Sequence, residues 1–163
     1  MAILRDYVNY ATGTAVTISL VNLPSTSARC STAIVVDTAA GYYTDYMGIV
    51  TLQSTTGTHA AGFAAYVYMY GGSAGVVNYP ATTADVAVTI ATDWNLAGPV
   101  IMNFGTSLTG SKTITNIFFV KPLFGGEMPA QFGVLIDNEV GINLSATAGN
   151  NTVTFVPVYH TIT

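Results

Sequence analysis

Charge is the property that this sequence has least of. Of its 163 residues only 7% are charged, against about 25% in a typical soluble domain. The basic residues are four scattered side chains, Arg5, Arg29, Lys112 and Lys121, and the formal net charge is -4. Nucleic-acid phosphates and anionic membrane surfaces both require clustered Lys and Arg. The composition therefore excludes nucleic acid and membrane as partners.

Cysteine is almost absent as well. Cys30 is the only one, which excludes an internal disulfide and a thiolate metal cluster. No apolar run reaches the length of a membrane-spanning helix, and MAILRDYVNY at the start carries Arg5 and Asp6 where a secretory signal would be apolar. We expect a protein that is made in the cytoplasm of its host cell and has no export signal.

Residue types that support catalysis are also scarce. His59 and His160 each stand alone, and no G-x-S-x-G elbow is present for a nucleophilic serine. Asp137 and Glu139 are spaced to share a strand face, but they lie in IDNEVG, which is typical of a strand that ends in a turn. We interpret them as solvated turn charges and expect no enzymatic activity, no cofactor and no metal site.

Strand-forming residues, by contrast, are plentiful. Thr, Val, Ile and Tyr suit a pleated, half-buried surface, and no window shows a helical period. Alternating patterns predict eight strands, at 14–22, 46–54, 63–70, 84–92, 99–104, 112–120, 131–138 and 152–162. Pro157 would put the last strand at a sheet edge or bend it. The predicted fold is all-β: one antiparallel, jelly-roll-like β-sandwich over residues 13–163, preceded by an N-terminal arm over residues 1–12.

One predicted strand carries a row of aromatic rings. In AAYVYMYGG, Tyr66, Tyr68 and Tyr70 alternate with Val67 and Met69, which places the three phenols on one face. Tyrosine provides a large contact area and a hydroxyl that suits a boundary. We interpret the row as a packing surface, either in the core or at a subunit contact.

A carbohydrate-binding module is the alternative reading of the aromatic residues. Rings that stack on sugar faces would form a platform in the loops. The candidate platform residues are Tyr42, Tyr43, Tyr46 and Trp94.

Four stretches of the chain carry a resemblance to a known family. They are ARCSTAIVVDTAAGYYTDYMGIVTLQSTTGT, AAYVYMYGG, FFVKPLFGGEMPAQFGVLIDNEVGINLSA and NTVTFVPVY. The features that carry the resemblance are a small-polar STA before a loop, an aromatic strand, an FGG turn, a proline before the FGV strand and an N-x-x-G-x-x-L turn. In these features and their order the chain resembles the decoration, or cement, proteins on the heads of tailed bacteriophages.

The resemblance implies a jelly-roll-like protein that lies on the capsid surface of the virion in many copies and has no enzymatic activity. Its partners would be the major capsid protein and other copies of itself, in a homo-oligomer. We favour a trimer because capsid lattices offer three-fold positions. The expected contact residues are those of the arm, Ile3, Leu4, Tyr7, Val8 and Tyr10, and those of the tyrosine row, Tyr66, Tyr68 and Tyr70.

Overall fold

The computed structural model describes residues 4–8, 13–36, 43–59, 63–73, 76–77, 84–91, 94–105 and 109–162. These residues form strands and one short helix. The elements are β1 (Leu4–Val8), β2 (Thr14–Ala15), β3 (Ser27–Cys30), β4 (Ile34–Val35), β5 (Tyr43–Gln53), β6 (Gly57–Thr58), β7 (Ala64–Ser73), β8 (Val76–Val77), β9 (Val86–Val88), β10 (Ala97–Asn103), β11 (Thr109–Gly110), β12 (Thr113–Phe119), α1 (Val120–Leu123), β13 (Gln131–Asn138) and β14 (Thr152–Ile162).

Two antiparallel sheets form a sandwich. In the first sheet the strand order is β1, β14, β5, β12, and β2 also pairs with β14. In the second sheet the order is β10, β7, β13, β3, β9, while β4 pairs with β13 and β8 with β7. A separate small pairing joins β6 to β11. The predicted all-β antiparallel sandwich is confirmed.

The core lies between the two sheets and is filled by alternate residues of their central strands. At its centre the rings of Phe132 and Phe155, one from each sheet, meet edge to face with 5.0 Å between their centroids. Burial of each large apolar side chain contributes about 1.5–3 kcal/mol relative to exposure. The other central core residues are Val50 and Leu52 on β5, Val67 and Met69 on β7, and Val134 and Ile136 on β13.

Six of the eight predicted strands are present. The bounds of β13 and β14 are those predicted, and those of β5, β7, β10 and β12 differ by at most three residues. Six short strands were not predicted: β1, β3, β4, β6, β8 and β11. The polar sequence of β3, Ser-Ala-Arg-Cys, hides an alternating pattern in which the small residues Ala28 and Cys30 are buried.

Two predicted strands are wrong over most of their length. Of residues 14–22 only Thr14–Ala15 pairs with β14, and of residues 84–92 only Val86–Val88 is a strand. After β2 the chain leaves the first sheet, and the N–H of Thr32 donates to the carbonyl of Thr17 at 2.9 Å. The apolar alternation at 14–22 therefore marks a segment that crosses from one sheet to the other.

An ion pair anchors this crossing segment. The guanidinium of Arg29 donates to the carboxylate of Asp85 at 2.6 Å, and the backbone N–H of Ser19 donates to the same carboxylate at 3.0 Å. The Ser19 hydroxyl also bonds to this carboxylate. Desolvation opposes ionisation of Asp85, but these hydrogen bonds outweigh it and hold its pKa below the usual range.

Pro157 was predicted to put β14 at a sheet edge or to bend it, and the first of these alternatives is wrong. β5 lies on one side of β14, and β1 and β2 lie on the other. The N–H of Val16 donates to the carbonyl of Val153 at 3.2 Å, so alternate residues of β14, Pro157 among them, turn their backbone groups toward that side. Proline has no N–H to offer there. The neighbouring strand is interrupted at this point: β2 pairs with residues 154–155, and β1 pairs from Val158 onward.

Gly48 provides a test of the close packing between the sheets. A Cβ at this position would lie 2.6 Å from the ring of Phe118 and 3.0 Å from that of Phe155. We expect Gly48→Ala to lower the free energy of unfolding by about 1–3 kcal/mol, because the rings must shift. In Gly57→Ala, the control, the added Cβ meets Ile142 at an ordinary 3.4 Å. Urea unfolding of both variants measures the difference, and equal losses would contradict the packing argument.

Candidate functional site

The tyrosine row lies on the face of the second sheet that points away from the core. Val67 and Met69 belong to the core cluster, so Tyr66, Tyr68 and Tyr70 project from the opposite face, as the alternation predicts. The three rings nevertheless have different surroundings. The row is therefore not a uniform surface.

Tyr70 is a packing residue. Its side chain is 1% exposed and lies over Gly133 on the neighbouring strand, where a Cβ would be only 2.2 Å from the phenol. Its hydroxyl donates to the carbonyl of Ser31 at 2.7 Å. Burial raises the pKa of the Tyr70 phenol. Because the ring is covered, Tyr70 is excluded as a direct contact to a partner.

Tyr66 and Tyr68 remain partly accessible. Their ring centroids are 6.4 Å apart and the ring planes are tilted by 35°. Tyr66 lies directly opposite Ile101 of β10, which is 55% exposed. This end of the row forms an aromatic and aliphatic surface beside the sheet edge.

An acidic pair borders the same face. Asp137 lies opposite Tyr66 on the adjacent strand, and with Glu139 it lines a cavity of about 220 Å³. Burial, with a further contribution from the negative charge of Glu139, raises the pKa of Asp137 to about 6. The prediction of a fully solvated turn charge is thus wrong for Asp137, which is half-buried within β13.

Of the predicted sugar platform, the three described residues Tyr43, Tyr46 and Trp94 do not line one groove. Tyr43 and Tyr46 are neighbours, with ring centroids 5.7 Å apart, and both line a groove of about 430 Å³. Tyr46 is only 5% exposed and packs against Phe132 in the core. Trp94 is not among the residues that line this groove. Tyr42 lies outside the described residues.

The described part of the N-terminal arm, residues 4–8, is paired with the sandwich. Leu4, Tyr7 and Val8 belong to β1, whose backbone runs antiparallel to residues 158–162 of β14. The arm therefore extends the first sheet by one strand. Ile3 and Tyr10, the other two predicted contact residues, lie outside the described residues.

A second partly apolar surface was missed from the sequence. The edge strands β10 and β12 run side by side, and we call the place where they meet the seam. Ile117 and Phe119 on β12 are 57% and 47% exposed. They project from the face of the first sheet that points away from the core, because Ile114 and Phe118 on the same strand pack against the core. The signal was present in KTITNIFFV, where apolar residues occupy both faces of the strand instead of one.

Asn116 bridges the seam. Its side-chain carbonyl accepts the N–H of Ile117 at 2.8 Å, and its amide nitrogen lies 3.5 Å from the carbonyl of Ile101. One side chain of β12 thus reaches a backbone group of each sheet. No charged residue occurs between Thr113 and Phe119.

His59 belongs to a buried polar cluster. Its Nε2 lies 2.6 Å from the hydroxyl of Ser54, and its ring stacks on Phe104 with centroids 5.9 Å apart. The backbone N–H of Lys112 donates to the Ser54 hydroxyl at 3.0 Å. Ser54 and His59 are at most 1% exposed, so this Ser–His pair is closed to a substrate and serves to join the ends of β5 and β12.

Comparisons with known proteins identify no relative. No protein-family model, curated protein or solved structure matches the chain. Among the described residues, no group of three or more His, Cys, Asp or Glu side chains is placed to hold a metal ion. The helical part of the described chain includes no segment of the length and apolarity needed to cross a membrane.

The hydroxyl of Tyr70 should contribute measurably to stability. Tyr70→Phe leaves the buried carbonyl of Ser31 without this donor, and we expect the free energy of unfolding to fall by about 0.5–1.5 kcal/mol. Tyr66→Phe, at a partly accessible ring on the same strand, is the control and should change it much less. Chemical denaturation measures both, and a Tyr70→Phe variant as stable as the unchanged protein would contradict this role.

Asp137 should make stability depend on pH. Its pKa is raised in the folded state, so its stabilising contribution is present below pH 4 and is lost as the pH rises through about 6. We expect Asp137→Asn to stabilise the protein at pH 8 by about 1 kcal/mol, after allowance for solvent screening, and to have little effect at pH 4. Urea unfolding at both pH values measures this. Glu127→Gln, at an exposed position, is the control, and an equal gain at both pH values would refute the mechanism.

Proposed function

We propose that this chain is a structural virion protein of a tailed phage that decorates the capsid and stabilises it by binding the assembled lattice of the major capsid protein. The observation that carries the proposal is the uncharged outer face of β12. It combines exposed Ile117 and Phe119 with the threonines Thr113 and Thr115 of the same strand.

The low charge of the chain favours a role in assembly. A specific, stable interface buries about 1,200–2,000 Å², and charged groups within it must be desolvated. A strand without charged residues, such as β12, can be covered by a partner without that loss. The sequence resemblance to phage decoration proteins supports the major capsid protein as that partner.

Stabilisation of a shell follows from mass action. A protein that binds only the assembled lattice lowers the free energy of that state by an amount that grows with concentration and affinity. Many copies bound at equivalent positions add their contributions. No chemistry is needed for this function, and a rigid sandwich with a continuous aromatic core suits it.

The arm is the part of the chain that we propose to bind the capsid or a neighbouring copy. β1 extends the first sheet as a strand on the far side of β14, and a partner could pair along its outer backbone. A homo-oligomer, with a trimer at three-fold lattice positions, is the assembly that we propose.

A carbohydrate-binding module of a tail or fibre is the second candidate. The observation that favours it is the pair of partly accessible rings, Tyr66 and Tyr68, beside the carboxylate of Asp137. The original platform of Tyr42, Tyr43, Tyr46 and Trp94 receives less support, because Tyr46 is enclosed in the core.

The copy number per virion tests the proposal. Quantitative mass spectrometry of purified particles should give a number of the same order as that of the major capsid protein. When residues 1–12 are deleted, purified particles should contain far fewer copies of the variant than of the full chain. Circular dichroism checks that the variant remains folded. A count of only a few copies would refute decoration and favour the tail-associated sugar module.

A further inference from the structure

The hydrogen-bonding direction of β12 can be derived from one bond at its start. Ser54 lies opposite Lys112, one position beyond the Gln53–Thr113 pair, and the Ser54 N–H donates to the Lys112 carbonyl at 2.9 Å. In an antiparallel pair such positions alternate. The even-numbered residues of β12 therefore bond to β5, and the odd-numbered residues turn their backbone groups outward: Thr113, Thr115, Ile117 and Phe119.

No strand of the described chain pairs with this outward side of β12. The middle of the edge is nevertheless occupied, because the side chain of Asn116 accepts the outward N–H of Ile117 at 2.8 Å. The same side chain reaches toward β10 at Ile101. Asn116 thus takes the donor that an incoming strand would need at the centre of the edge.

The sequence of β12 is suited to pairing with itself. In a two-fold antiparallel arrangement centred on residue 116, Thr115 would face Ile117 of the second copy, and Thr113 would face Phe119. These are uncharged pairs of strand-forming residues. The flanking cations are not opposed in this register, because Lys112 would face Val120 and Lys121 would face Ser111. No like charges repel across the pair.

We propose that the β12 edge is a pairing surface for a second copy of this chain and that the Asn116 side chain holds it closed. When that side chain is removed or turns away, the Ile117 N–H is released, and two β12 strands join about a two-fold axis. The inference rests only on the geometry of β12 and is independent of the proposed capsid function.

A cysteine at the two-fold position gives the sharpest test. In a Cys30→Ala background, which removes the single native thiol, Asn116→Cys opens the edge and places a thiol opposite its own copy. Residue 116 would form a non-hydrogen-bonded pair, whose Cα separation of about 4.5 Å lies within the range of a disulfide. We expect most chains to form an interchain disulfide under mild oxidation, as measured by non-reducing electrophoresis.

The control variants are Thr115→Cys and Ile117→Cys in the same background. In the proposed pair, neither residue lies opposite the same residue of the second copy, so two identical cysteines would be too far apart to bond. Asn116 also remains in place in these variants and holds the edge closed. Both should cross-link far less than Asn116→Cys. Cross-linking of all three to the same extent, or of none, would overturn the proposal.

Two further measurements do not depend on a disulfide. Light scattering after size exclusion gives the oligomeric mass in solution. Asn116→Val should form a larger oligomer at concentrations at which the unchanged chain and Thr115→Val have the same mass. An identical mass for all three would refute the pairing of β12 strands. In the unchanged protein, the Ile117 amide should exchange hydrogen several-fold more slowly than those of Thr115 and Phe119. Equal exchange rates would show that Asn116 does not hold the edge closed, even if its variants fail to fold.

Discussion

Contact between aromatic rings across the two sheets is the constraint on which the rest of the structure depends. Phe132 from one sheet and Phe155 from the other meet at 5.0 Å, and Tyr46 and Phe118 extend the cluster on either side. The rings fit because Gly48 leaves an empty position beneath them. Because few charged groups are available, this apolar contact fixes the distance between the two sheets. It thereby also fixes the positions of their edge strands.

The sequence predicts the long strands well because their alternation is imposed by burial on one face. β13 and β14 have the predicted bounds for this reason. Residues 14–22 alternate equally well, yet hydrogen bonds to Thr32 and Asp85 draw them across to the other sheet. Such partners are distant in sequence and leave no local signal. The short strand β3 was missed because its buried residues are only Ala28 and Cys30.

The candidate surfaces were predictable in part. Periodicity places Tyr66, Tyr68 and Tyr70 on one face, but the burial of Tyr70 depends on Gly133 being its neighbour on another strand. The role of Asn116 depends on the order of strands in both sheets, which no local pattern contains. Lysines usually protect an exposed sheet edge from pairing with another chain. In this chain, which has little charge, the side-chain amide of Asn116 takes that role by accepting the backbone N–H of Ile117.

On one side of β14 the first sheet is interrupted at Pro157. The β1 pairing begins only at Val158, beyond a proline that cannot extend the ladder toward β2. The backbone bonds of β1 are therefore separated from those of β2, although β5 pairs with β14 past the proline on the other side. We expect the β1 ladder, at the outer end of β14, to open at a lower free energy than the rest of the sandwich. Under an applied force, β1 would therefore be the first strand of this sheet to separate.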